Sequence, residues 1–136
     1  MRYWLVKTDP EAYSWNDFVS DAETTWDGVR NYQARNNLRE MNLGDQVIVY
    51  HSVSDKCAMG TAEVSQTSFP DPKAPAEAGW LAVGLRVLLS FPNPVSLSAM
   101  KATPSLAGLA LFKQSRLSVS PLTEEEFLTI VRLGSK

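Results

Sequence analysis

Residues 45–52 read DQVIVYHS, and this run constrains the fold more than any other. Val47, Ile48, Val49 and Tyr50 are consecutive and apolar, so an extended chain here is apolar on both faces. That is the signature of a strand buried on both sides rather than one with a solvated face. The segment RYWLVKT, which ends in Thr8, is a second strand, stopped by Asp9-Pro10. Residues 57–66, CAMGTAEVSQ, return from DQVIVYHS after a short polar turn, as in a hairpin. Residues 80–91, WLAVGLRVLLSF, alternate and would place Leu81, Val83, Leu85, Val87, Leu89 and Phe91 on one face. LFKQSRLSVS, 111–120, reads as the last strand.

Helices interrupt these strands without regular alternation. Ser14 caps a short helix over 15–20, with Trp15, Phe18 and Val19 on one face. Residues 22–30 read as a turn centred on Asp27-Gly28. From Asn31, the spacing of Ala34, Leu38 and Met41 predicts a helix that Gly44 ends. FPDPKAPAEAG, 69–79, carries three prolines and is a loop of unusual length. Residues 93–108 give short helical turns broken by Pro104. Over 123–134, Thr123 and Glu126 have capping-box spacing and Gly134 marks the helix end. The order speaks against a doubly wound parallel sheet. It favours one α+β domain, 1–136: a curved sheet or small mixed barrel with helices outside.

Composition narrows the function. A formal net charge of −2 argues against gripping nucleic acid by bulk charge, though not against binding a single base. Cys57 is the one cysteine, so no intrachain disulfide or cysteine metal site is available, and a reducing compartment is expected. MRYWLVKTDP lacks a signal-peptide core and no apolar run spans a bilayer, so the cytoplasm is expected. No phosphate-binding or dinucleotide glycine motif is present. His51 is the one histidine, and a lone strand histidine is most often structural. Glu124 to Glu126 form a first helical turn favoured by the macrodipole. The residues give no strong sign of catalysis or of a cofactor.

The tryptophans say more. Trp4 and Trp15 sit among apolar neighbours and read as core. Trp26 and Trp80 lie at element boundaries, where each is either a lid on the core or a wall that stacks on a flat ligand. Stacking a base on an aromatic side chain is worth roughly 1–3 kcal/mol and tolerates any base, so hydrogen bonds at the base edge must supply specificity. Gly28 allows close backbone approach, and Asn31 offers an amide that either caps the helix or meets the ligand.

The stretch WDGVRNYQARNNLREMNLGDQVIVYHS, with YWLVKTDP, MGTAEV and QSRLSVSPLT, resembles the EVE domain of the thymocyte nuclear protein family over nearly the whole chain. Thr8 stands where that family is associated with serine, and the hydroxyl is kept. The resemblance implies a PUA-like fold. EVE domains are similar to YTH domains, which hold a methylated base in an aromatic pocket, so it also implies recognition of a modified base in DNA or RNA, without catalysis. That no metal and no membrane is expected rests on the residues themselves: one histidine with scattered carboxylates and no bilayer-length apolar run. Carried across by position, Lys7 and Thr8 end the first strand at the pocket mouth, and Trp26 is an aromatic wall. Gly28, Val29 and Asn31 line the turn, and His51 and Ser52 lie nearby. Arg116 and Ser118 complete the wall or meet a phosphate, and Trp80 is the candidate opposing wall. Two alternatives stay open: a small hydrolase or nuclease using Lys7, His51 and Asp27, and a sensor of free nucleotide-like anions.

Overall fold

The computed structural model describes residues 1–136. Six strands form one sheet: β1 (Tyr3–Thr8), β2 (Glu23–Trp26), β3 (Gln46–His51), β4 (Cys57–Pro70), β5 (Leu81–Ser96) and β6 (Val119–Leu122). Their order is β2-β5-β4-β3-β1-β6. Only β1 and β3 pair in parallel, and the other pairs are antiparallel. The sheet is curved but open, with β2 and β6 as edges, so the curved-sheet expectation holds and the closed barrel does not. Five α-helices accompany it: α1 (Trp15–Asp21), α2 (Tyr32–Glu40), α3 (Leu97–Lys101), α4 (Ala110–Lys113) and α5 (Glu124–Gly134).

Local rules explain most of these elements. The Ser14 hydroxyl accepts from Asp17 N at 3.1 Å, and the Asp17 carboxylate accepts from Ser14 N at 3.0 Å. Thr123 and Glu126 close the same box on α5. The strand DQVIVYHS is buried on both faces as its composition requires. Val47 and Val49 join one core with Trp15 and Phe18 of α1 and Ala34 and Leu38 of α2. Ile48 and Tyr50 join a second core with Met100 of α3 and Phe127 and Ile130 of α5. Each such side chain, fully buried, stabilises the fold by about 1.5–3 kcal/mol.

Three local expectations change. The turn expected over 22–30 begins later: Glu23–Trp26 is an edge strand whose ladder bonds go to β5, with Trp26 opposite Val83. The expected last strand, 111–120, is helical at its start as α4, and extended pairing begins only at Val119. The single face drawn through β5 also breaks. Thr61 pairs with Leu89 but Ala62 pairs with Val87, so Leu88 is an extra residue in the ladder. One inserted residue reverses every later side chain. Val83 and Leu85 therefore face the first core, Phe91 faces the second, and Leu89 is 43% exposed.

Candidate functional site

The parallel pairing of β1 and β3 puts Thr8 opposite His51, so both strands deliver their C-terminal ends to one rim of the sheet. The end of β2 reaches the same rim. A cavity of about 460 Å³ opens there, lined by Lys7, Thr8 and Asp9, by Ala12 and Tyr13, by Thr24 to Gly28, and by Lys73. Its size lies within the roughly 300–1,000 Å³ of small-molecule sites.

Trp26 is both core and wall. It is buried, packs edge-on to Tyr13 with centroids 6.1 Å apart, and touches Phe18 at 5.7 Å. Tyr13 donates to Asp21 at 2.7 Å, and burial first, then that carboxylate, pushes its phenol up to about 12. It is therefore a neutral, pinned ring. The Thr8 hydroxyl donates to Tyr13 O at 2.6 Å and holds the 9–13 loop against the strand end. Lys73 pairs with Asp27 at 3.3 Å beside the opening.

The turn after Trp26 is held from a distance. Asp71, fully buried, accepts from Gly28 N at 2.9 Å, Arg30 Nη1 at 2.8 Å and Lys73 N at 2.7 Å. Burial acts to raise its carboxyl, but Arg30 and the two N–H groups hold it below the ordinary value. Gly28 has φ +78°, and a Cβ added there would meet nothing within 4 Å. Glycine serves the left-handed backbone at this turn, not a close packing contact.

A second cavity of about 430 Å³ lies on the other side of Lys7. Its charged lining is Lys7, Lys56 and Arg116, with no carboxylate, beside Ser52, Ser115 and Ser118. Val53 and Lys56, also in its wall, have φ of +70° and +46°. Non-glycine residues seldom adopt that conformation, and the strain is stored in this loop. Lys7 Nζ donates to Ser115 O at 3.0 Å, and burial lowers its ammonium below the usual lysine range.

Of the residues expected at the site, Lys7, Thr8, Trp26 and Gly28 meet at the first cavity, and Lys7, Ser52, Arg116 and Ser118 at the second. The other four line neither. Val29 is core. Asn31 caps α2 by accepting from Ala34 N at 2.9 Å. His51 Nε2 accepts from Trp15 N at 2.9 Å while Nδ1 faces Asp55 at 3.2 Å. Trp80 stacks on Tyr32 with centroids 5.0 Å apart. Sequence reasoning missed Tyr13, Thr24, Thr25, Lys73 and Asp71. The length of the proline-rich loop was the one available sign that Asp71 and Lys73 matter.

Residues 2–133 match the EVE domain family. Human thymocyte nuclear protein 1 is 31% identical over 98% of this chain and 74% of its own length. The crystal structure of the human THYN1 protein in complex with 5-methylcytosine containing DNA is similar with a TM-score of 0.91 and 29% identity, covering 100% of this chain and 99% of that one. A crystal structure from Agrobacterium tumefaciens is similar with a TM-score of 0.94 and 42% identity, over 98% of this chain and 93% of that one.

Proposed function

The chain belongs to the EVE domain family, and from that premise we propose that it is a non-catalytic reader of a modified nucleobase in DNA or RNA. Its 136 residues act as one unit, and the base enters flipped out or single-stranded. The observation that carries this reading is the first cavity, walled by Trp26 and Tyr13 and edged by Lys7, Thr8 and the Gly28 turn. Trp26 supplies the stacking surface, and Thr8, Thr24, Thr25 and Asp27 offer donors and acceptors to the base edge. The human relative's complex with 5-methylcytosine containing DNA makes that base the first to test.

In this reading the second cavity takes the backbone. Lys7, Lys56 and Arg116 meet phosphates next to the extracted nucleotide, with Ser52 and Ser118 as hydroxyl partners. Local concentration of cations without a carboxylate lets a chain of net charge −2 hold a phosphate.

The absence of turnover is part of the proposal. Both ring nitrogens of His51 face protein partners, so His51 is placed to support α1 and not to take a proton from a substrate. Burial first, then Asp55, pushes the Cys57 thiol up, which opposes a thiolate nucleophile. No group of three or more histidine, cysteine or acidic side chains is placed to hold a metal. No helix is long and apolar enough to cross a membrane. The cytoplasm is proposed as the compartment on the strength of the single free thiol, Cys57.

Backbone amide chemical shifts on titration with 5-methyl-2′-deoxycytidine test the assignment. The expected changes cluster at residues 7–9, 12–13, 24–28 and 73. Changes confined elsewhere would remove the first cavity from the account.

A further inference from the structure

Tyr32 is 66% exposed and is the one aromatic among the exposed large hydrophobic side chains. It is not loose. Its ring lies 5.0 Å from that of Trp80, with 21° between the planes, so one face is covered by a partly buried tryptophan. The exposed part of the side chain is what that stack leaves uncovered. Guanidinium groups gather at the same place. Arg35 lies 5.1 Å from the Tyr32 centroid and 5.9 Å from that of Trp80, and Arg30 lies 5.6 Å from Trp80. Arg30 in turn is bound to Asp71, which also holds Gly28 in the wall of the first cavity. A chain of contacts thus links the exposed ring to the cavity: Gly28, Asp71, Arg30, Trp80, Tyr32.

The surface has the chemistry of a single-stranded nucleic-acid platform: a flat ring held against a second ring, beside cations that do not need burial. A nucleotide presents a flat base and a negative phosphate together, which matches an exposed ring with a guanidinium group beside it. We propose that the Tyr32–Trp80 stack with Arg35 is a second contact surface for the nucleic-acid chain. A base adjacent to the one held in the cavity stacks on the open face of Tyr32, and Arg35 meets its phosphate. This rests on the modified-base reading above and extends it from one nucleotide to its neighbour.

The test compares two probes on the whole chain: free 5-methyl-2′-deoxycytidine, and a short single-stranded oligonucleotide with that nucleotide at its centre. Tyr32→Ala should leave the nucleoside affinity within about twofold and weaken the oligonucleotide roughly 5- to 150-fold, the range set by one stacked base. Arg35→Gln should weaken the oligonucleotide alone and reduce its salt dependence. An abasic site next to the modified base should weaken wild-type binding and cost Tyr32→Ala little further. Equal losses for both probes in Tyr32→Ala, or no loss for the oligonucleotide, would overturn the platform while leaving the cavity reading in place. Failure of wild type to bind either probe, and equally the nucleoside and oligonucleotide pair built on N6-methyladenine, overturns the cavity reading and the platform with it.

Discussion

Asp71 accepts a hydrogen bond from the backbone N–H of Gly28 at 2.9 Å, tying the loop after β4 to the turn after β2. The same carboxylate holds Arg30 and Lys73 N. The polar cluster at the start of α2 is therefore used first to knit the protein together, and the knitted turn then presents Trp26 and Gly28 to the cavity.

Asp71→Asn should lower stability by about 1–3 kcal/mol, the range for losing charge-assisted bonds at a buried carboxylate. The pH dependence has a definite sign. A carboxyl held below its unfolded value, about 3.9, stabilises the fold above that value and loses the effect as pH falls through the folded one. Thermal unfolding should show a gap between wild type and Asp71→Asn at neutral pH that narrows below about pH 4. A constant gap would mean that the charge of Asp71 is not what holds the turn.

His51→Gln separates support from catalysis. Loss of the bond to Trp15 N at the start of α1 should reduce stability by about 1–2 kcal/mol. Ligand affinity should change by less than about tenfold, because His51 lines neither cavity. Neither protein should hydrolyse nucleic acid or nucleotides. Turnover in the wild type that the variant abolishes while still binding would establish the enzyme alternative.

Trp26 needs two variants because it belongs to the core and the wall together. Trp26→Ala should cost about 3–5 kcal/mol of stability as well as binding. Trp26→Phe keeps an aromatic body against Tyr13 and Phe18, so it should remain folded at room temperature. Its affinity for a modified nucleoside should still fall severalfold through reduced stacking area. Unchanged affinity in Trp26→Phe, measured by titration below its unfolding temperature, would make Trp26 a core residue only.

Local chemistry made much of this molecule legible in sequence. Ser14 and Thr123 announce their helices by partners three residues on, and the doubly apolar 45–52 run announces a buried strand. What stayed hidden depends on partners distant in sequence. The extra residue Leu88 is visible only as a shift in register against β4, and β2 is a strand because β5 supplies its ladder. At the site, the run of β1 into Lys7 and Thr8 and the Trp26–Gly28 turn pointed to the first cavity. The length of the proline-rich loop marks the segment that holds Asp71, but nothing in it indicates that the carboxylate reaches back 43 residues to Gly28. Trp80 reads in the sequence as a candidate opposing wall, but its neighbour is Tyr32, a contact that no spacing rule connects.

Ionic strength reads the phosphate contacts. With Lys7, Lys56 and Arg116 engaged, and Arg35 on the platform, log K for a single-stranded modified oligonucleotide should fall by about 3 per decade of salt, at about 0.7 per phosphate. Arg116→Ala should reduce that slope by about 0.7 without altering the preference for a modified base. A slope that Arg116→Ala does not change would remove the second cavity from the backbone path.

The preference itself is the central claim. Equilibrium titration should compare single-stranded oligonucleotides carrying one 5-methylcytosine or one N6-methyladenine with their unmodified counterparts, at one fixed salt concentration. A methyl group buried against Trp26 contributes about 0.8 kcal/mol, so at least one modified oligonucleotide should bind about fourfold or more tightly than its counterpart. Equal affinities for every modified and unmodified pair would contradict the account.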